Sequence, residues 1–149
     1  MVIRPVVESD AAQWARLRRL LWPSEDHARE VARFFAGELP TVAAAVLAID
    51  EYGHAVGFAE MSIRPYCEGC YSGRVAYLEG WFVEAHARQR GIGAALVATV
   101  EEWGRAQGCT EMGSDTELGN KGSAAAHAAV GFEEVERIVC FRKSLTPVT

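Results

Sequence analysis

Apolar residues near the start of the chain recur at helical spacing. Trp14, Leu17, Leu20 and Leu21, with Arg16, Arg18 and Arg19 between them, predict an amphipathic helix from Ser9 to Trp22, which Pro23 ends. A second helix is expected from about Asp26 to Glu38, with Val31, Phe34 and Phe35 as its buried stripe and Gly37 and Pro40 as its stop. The period then shortens. Val42 to Asp50 is small and apolar, Asp50-Glu51-Tyr52-Gly53 reads as a turn, and Ala55 to Arg64 returns as the second arm of a hairpin. The polar loop Pro65 to Gly73 holds Tyr66 and Tyr71, and Val75 to Val83 is an apolar run suited to a central strand. After a loop at Glu84 to Arg90, the residues Ile92, Leu96, Val97, Val100 and Trp103 mark one face of a helix from Gly91 to Gln107, closed by Gly108. A short strand from Thr110 to Asp115 and an alanine-rich helix from Asn120 to Ala129 follow. The last predicted strand runs from Glu134 to Lys143, with Val135, Arg137, Val139 and Phe141 in alternation.

The resulting order, β-α-α-β-β-β-α-β-α-β, predicts an α/β fold with a mixed sheet, antiparallel at first and joined by helical crossovers later. With 149 residues, half of them apolar, the chain suits a single domain spanning residues 1–149. No apolar run approaches the roughly 20 residues of a membrane span. The start Met-Val-Ile-Arg-Pro lacks the layout of a secretory signal, so a cytoplasmic protein with no membrane partner is expected. A formal charge of -5 argues against a nucleic-acid partner and suits a small cationic substrate. Cys67 and Cys70 form an isolated C-x-x-C, while Cys109 and Cys140 stand apart, which is not the paired spacing of a zinc site. Reduced thiols are expected, with a labile Cys67/Cys70 disulfide as the alternative.

The main chemical signal is a glycine-rich turn. Arg88-Gln89-Arg90-Gly91-Ile92-Gly93-Ala94 stands at the start of a helix, where unpaired N–H groups and the helix dipole favour an anion and glycine permits close approach. Arg88 and Arg90 add positive charge, so the turn suits a pyrophosphate. A P-loop would require Gly-Lys-Ser/Thr where Ala94-Ala95 stands. A dinucleotide fingerprint needs a third glycine where Leu96 stands, although Asp115 lies where a ribose-binding acid would be, and the preceding antiparallel strands count against that reading. The bland alternative is a strand-to-helix turn with solvent-facing arginines.

The segment Arg88 to Gly93, R-x-x-G-x-G, resembles the acetyl-CoA motif of the GNAT superfamily of N-acetyltransferases. Asn120-x-x-Ser123-x-x-Ala126-His127-x-x-x-Gly131-Phe132 resembles the later cofactor-flanking helix of that superfamily. The resemblance implies a mostly antiparallel central sheet with splayed parallel strands, flanked by helices, and acetyl-CoA as co-substrate with no metal. Amides from Gln89 to Ala94, including Arg90, Gly91, Ile92 and Gly93, would hold the pyrophosphate. Backbone around Phe82 and Val83 would pair with the pantetheine arm, which Asn120 would also contact.

Aminolysis of a thioester needs a neutral amine, stabilisation of an oxyanion and an acid for the leaving thiolate. An alkyl amine is protonated at neutral pH, so a proton must be removed. Glu79 lies within Tyr77-Leu78-Glu79-Gly80-Trp81-Phe82-Val83, where strict alternation would place it on one face with Tyr77 and Trp81. It is either the group that handles the amine or a strand glutamate reaching solvent or an internal arginine. Nearly the whole chain resembles aminoglycoside 6'-N-acetyltransferases, most closely at Leu20 to Pro23, Gly57 to Ala59, Tyr77 to Val83, Gly113 to Thr116 and Gly131 to Lys143. That resemblance implies an acceptor site of Trp22, Tyr66, Glu79 and Asp115, with carboxylates holding the drug's ammonium groups. It also implies a homodimer formed through the C-terminal strand, with Glu136 reaching a neighbouring subunit's acceptor site. Asp115 could instead cap a turn, Trp22 could pack the core, and Tyr66 could be an ordinary loop residue.

Many GNAT enzymes have a tyrosine, usually proposed as the acid for the thiolate, where this chain has His127. The histidine either substitutes as that acid, hydrogen-bonds the sulfur, or is structural. Two other functional readings remain at this point. One is a GNAT enzyme acting on a polyamine, a protein N-terminus or another metabolite amine, and the other is a non-catalytic acetyl-CoA-binding module.

Overall fold

A computed structural model describes residues Met1 to Pro147. Residues up to Asp115 form one compact unit and a second begins at Thr116. The first unit runs β1 (Val2–Pro5), α1 (Ala11–Leu21), α2 (His27–Phe35), β2 (Ala44–Ile49), β3 (Ala55–Arg64), β4 (Val75–Val83), α3 (Ile92–Ala106) and β5 (Met112–Ser114). Its five-stranded sheet has the order β1-β2-β3-β4-β5, antiparallel from β1 to β4 and parallel between β4 and β5. This is the mixed sheet flanked by helices that the element order predicts.

Each face of the sheet is closed by a different set of helices. Trp14, Leu17 and Val31 of α1 and α2 pack with Leu47 and Phe58 of the sheet, and Trp14 meets Phe34 and Phe35 edge-on at 5.0 and 5.9 Å. On the other face α3 buries Ile92, Leu96, Val97, Val100 and Gly104. Trp103, expected in that stripe, is only half-buried. Gly104 takes the contact because a Cβ there would lie 2.8 Å from the Ala76 Cβ, so the helix approaches β4 more closely than a side chain would allow.

A charged network crosses the first of these interfaces. Glu60, 1% exposed, accepts from Trp14 Nε1 at 2.9 Å and from Arg18 Nη1 at 2.8 Å to each oxygen. Arg18 Nε donates to His27 Nδ1 at 3.1 Å, and His27 Nε2 bonds the Trp22 carbonyl. Because a guanidinium can only donate, His27 Nδ1 is bare and Nε2 carries the proton. Burial pushes the Glu60 carboxyl up to about 7, against the opposing pull of Arg18 and Trp14.

The second unit contains α4 (Lys121–Ala129), whose first turn is capped by the Asn120 side chain accepting from Ser123 N at 3.0 Å. The strand expected from Glu134 to Lys143 is not formed. No residue of that segment is in a strand, and Val135, Ile138, Val139 and Phe141 are exposed. Alternation in a sequence specifies a face, whereas a strand exists only where a neighbour supplies the ladder. Among the described residues no helix is long and apolar enough to cross a membrane.

Candidate active site

β4 departs from regular pairing on both of its edges near Glu79. Toward β3 the register steps from Met61↔Leu78 to Glu60↔Gly80, which leaves Glu79 as the extra residue of a β-bulge. The bulge changes which residues share a face. Glu79 and Tyr77 lie with Ser62 and Arg64 on the α1/α2 side, while Trp81 donates from Nε1 to Gly93 O of α3 at 3.1 Å. The expectation that Trp81 shares the face of Tyr77 and Glu79 therefore fails, because one inserted residue inverts the alternation beyond it.

Glu79 is well supplied with donors. Ser62 Oγ donates to Oε2, Arg64 Nε donates to the same oxygen at 2.9 Å, and Arg64 Nη2 donates to Oε1 at 2.7 Å. The Arg64 guanidinium also lies 3.5 Å from the Tyr77 ring centroid. Tyr77 in turn donates its hydroxyl to Asp115 Oδ2. Burial first, and then the Asp115 carboxylate, drive the Tyr77 ionisation upward, so the phenol stays protonated and remains a donor. Asp115 directly follows β5, where Gly113 pairs with Tyr77, and this register puts the two side chains together. On the other side of Glu79, a Cβ on Gly80 would fall 2.5 Å from Trp22 Cη2, so the indole rests directly on the strand. Trp22 follows α1, stacks on His27 at 6.3 Å, and lies under the Arg18 guanidinium at 5.2 Å.

Of the expected acceptor residues, Trp22, Glu79 and Asp115 are thus linked through Gly80, Arg64 and Tyr77. Tyr66 follows β3 in the connecting loop, is 68% exposed, and makes no hydrogen bond or ring contact among the described residues. Sequence reasoning missed Ser62, Arg64, Gly80 and His27. A glycine inside a central strand was the available signal for a bulge or close approach at Gly80.

The opposite edge of β4 suits an extended thioester cofactor. Its parallel ladder with β5 ends at Leu78↔Ser114, so among the described residues the strand runs on to Val83 with no strand beside it on that edge. Glu84 N donates to Val56 O, which turns the neighbouring Val83 carbonyl away from β3, where Arg88 Nε bonds it at 2.8 Å. The Arg88 guanidinium lies 5.7 Å from the Phe82 ring. In the turn beyond, Gln89 (φ 63°) and Gly91 (φ 79°) are left-handed, and among the described residues no side chain caps the start of α3. The first N–H groups of this fifteen-residue helix therefore point outward with Arg88, Gln89, Arg90, Gly91 and Ala94 exposed around them, while Ile92 is buried and Gly93 half-buried. Phe82 and Val83 are half-buried. These features fit a diphosphate at the helix start and an amide-bearing arm along the strand edge, the two chemical halves of acetyl-CoA.

The remaining expected residues belong to the second unit. Asn120 uses its carbonyl as the α4 cap, which leaves its amide hydrogens for a ligand. His127 Nδ1 lies 2.7 Å from Ser123 O, so that nitrogen carries the hydrogen and Nε2 of the neutral ring is an acceptor. Its ring lies 5.2 Å from that of Phe132. Glu136 is exposed.

Comparison with known proteins identifies the family. The model of the acetyltransferase (GNAT) family matches residues 12–132, and the chain belongs to that family. It is an acetyl-CoA-dependent N-acetyltransferase. Among its relatives is an aminoglycoside N(6')-acetyltransferase type 1 of Klebsiella aerogenes, 50% identical over 147 residues and covering 97% of each chain. Among solved structures it is similar to aminoglycoside N-acetyltransferase AAC(6')-Iy in complex with CoA, at 40% identity and a TM-score of 0.87, covering 95% of this chain and 93% of that one. The same enzyme with the bisubstrate analogue CoA-S-monomethyl-acetylneamine matches at 40% identity and 0.87, covering 96% and 97%.

Proposed function

We propose that the protein transfers acetyl from acetyl-CoA to the 6'-amine of aminoglycoside antibiotics, and so confers resistance to them. The observation that carries the reading is the placement of Glu79, Asp115 and Trp22 on one face of β4, beside the strand edge that suits the cofactor. It is supported by relatives of nearly full length whose names specify that reaction. Transfer is direct. The turn from Arg88 to Ala94 holds the diphosphate, and Phe82 and Val83 hold the pantetheine arm. Glu79 accepts a hydrogen bond from the reacting amine and takes its proton, directly or through a water. The neutral amine then attacks the thioester carbonyl, and CoA leaves as the thiol.

Trp22 forms an apolar wall against the sugar ring, Tyr66 closes the site from its loop, and Asp115 holds a second ammonium. His127, with Nδ1–H committed to Ser123 O, can protonate the leaving thiolate only as imidazolium; as the neutral ring it accepts a hydrogen bond at Nε2. The protein is a single cytoplasmic domain that works as a homodimer. The segment from Glu134 to Lys143 keeps a strand's alternation without a strand's pairing, and Phe141 is 93% exposed, which suits pairing with a second copy that Glu136 then reaches. Sedimentation showing only monomer would remove the dimer.

The decisive assay follows thiol release from acetyl-CoA with paired drugs that have or lack a 6'-amine. Turnover confined to drugs bearing that amine is expected. Turnover indifferent to it moves the activity to another amine, and cofactor binding without turnover reduces the protein to a binding module.

A further inference from the structure

The site contains two carboxylates in unlike surroundings. Glu79 is gripped at both oxygens by Arg64 and bonded by Ser62, and its side chain is 18% exposed against 42% for that of Arg64. Among the described residues the Asp115 side chain receives only a neutral phenol hydrogen, from Tyr77. Both side chains belong to one contact chain, since Arg64 lies on the Tyr77 ring and feels the Asp115 charge as well as that of Glu79. The Glu79 charge is therefore matched inside the protein, whereas the Asp115 charge is left for a cation from solution.

We propose that Arg64 is a positioning residue that divides the work of acetyl transfer between the two carboxylates. It fixes Glu79 as an oriented acceptor for the reacting amine and cancels its long-range pull, and it leaves Asp115 as the anion that draws in the polycation. A bidentate guanidinium holds a carboxylate in one plane, which a flexible ammonium does not. The stacking on Tyr77 fixes the guanidinium from below. Without Arg64, the site would carry an extra negative charge and attract a polycation more strongly, but Glu79 would lose its orientation.

The inference rests on the aminoglycoside reading, and its signature is a split in kinetic constants that lost packing would not give. Arg64→Gln is expected to lower the acceptor KM about fivefold, as expected for one unscreened charge at a half-exposed site, while lowering kcat by an order of magnitude or more. The dependence of acceptor KM on salt should steepen, and the KM for acetyl-CoA should not move. Arg64→Lys keeps the charge without the planar fork, so kcat should fall with little change in acceptor KM; this variant also serves if Arg64→Gln does not fold. Arg105→Gln, an equal charge change on the exposed last turn of α3, should alter neither constant.

A raised or unchanged acceptor KM in Arg64→Gln, or an unchanged kcat in either Arg64 variant, overturns the proposal. Absence of drug-dependent thiol release by the wild type would instead sink the aminoglycoside reading, so the two failures are distinct.

Discussion

Replacing Gly80 by alanine tests how the acceptor wall proposed at Trp22 is built. The added Cβ would lie 2.5 Å from Trp22 Cη2, 3.2 Å from Cζ2 and 3.3 Å from Phe58 Cε2. Carbon atoms rest at about 3.5–4.0 Å, so the indole edge must retreat by roughly 1 Å. It is not free to do so without cost, because the Trp22 backbone is tied to Arg18 O at 2.7 Å and its carbonyl to His27. Overpacking of this kind costs about 1–3 kcal/mol. The half-buried indole can tilt toward solvent, which places the expected value near the lower half of that range. Urea unfolding followed by circular dichroism should show a midpoint lower by about 0.5–1 M with an unchanged slope. In the thiol-release assay the acceptor KM should rise several-fold while the KM for acetyl-CoA holds, since the turn and α3 lie on the other face of β4. Trp22→Phe, with its smaller ring, should recover most of the stability in the Gly80→Ala background, a coupling that independent sites would not show. An unchanged midpoint and acceptor KM in Gly80→Ala would refute the claim that Trp22 rests on the strand.

Other consequences concern the buried and capping groups. The folded-state carboxyl of Glu60, pushed up to about 7 from an ordinary 4.5, holds its proton over a wider range than the unfolded chain does, so its contribution to stability declines as pH rises between those values. Stability curves of wild type and Glu60→Gln should diverge across that window and run parallel outside it; a constant difference would show that Glu60 does not titrate there. Tyr77→Phe should cost about 1 kcal/mol and raise acceptor KM, because Asp115 loses its donor; equal acceptor KM values in the two proteins would detach Asp115 from the site. Asn120→Ala should lower stability by about 1 kcal/mol, with Asn120→Asp largely retaining it; equal thermal midpoints for the alanine variant and wild type would contradict the cap.

The parts of the fold legible in the sequence were those in which a local pattern meets a local cause. Ala55 to Arg64 and Val75 to Val83 are strands at the boundaries expected, since a turn or loop residue ends each run. The turn at Arg88 to Ala94 was legible as a turn because glycine before a helix marks left-handed backbone, which Gly91 adopts. Arg64 was not, because its role depends on the register that sets Tyr77 opposite Ser62 and Val75 opposite Arg64, and register belongs to a pair of strands. His27 stood alone in the sequence for the same reason: its partners Arg18 and Trp22 come from the preceding helix and the residue after it. The segment from Glu134 to Lys143 shows the converse, a strand pattern with no ladder in the isolated chain.

The bulge at Glu79 resolves a conflict that a regular strand would leave standing. The Trp22 indole needs a residue without a side chain on the α1/α2 face, and Gly80 is that residue. The carboxylate must face the same side, next to Ser62 and Arg64, yet adjacent residues in a regular strand point to opposite faces. Inserting one residue lets Glu79 and Gly80 serve the same side together. It also sends Trp81 to the other face, where a Cβ on Gly93 would lie 3.3 Å from the indole, so the ring packs against the first turn of α3. The parallel ladder to β5 stops one residue before this point, at Leu78. A single irregular stretch of β4 therefore turns the carboxylate toward Ser62 and Arg64, seats the Trp22 indole, and coincides with the end of the ladder to β5, so the residues proposed for the acceptor and those proposed for the cofactor depend on the same bulge.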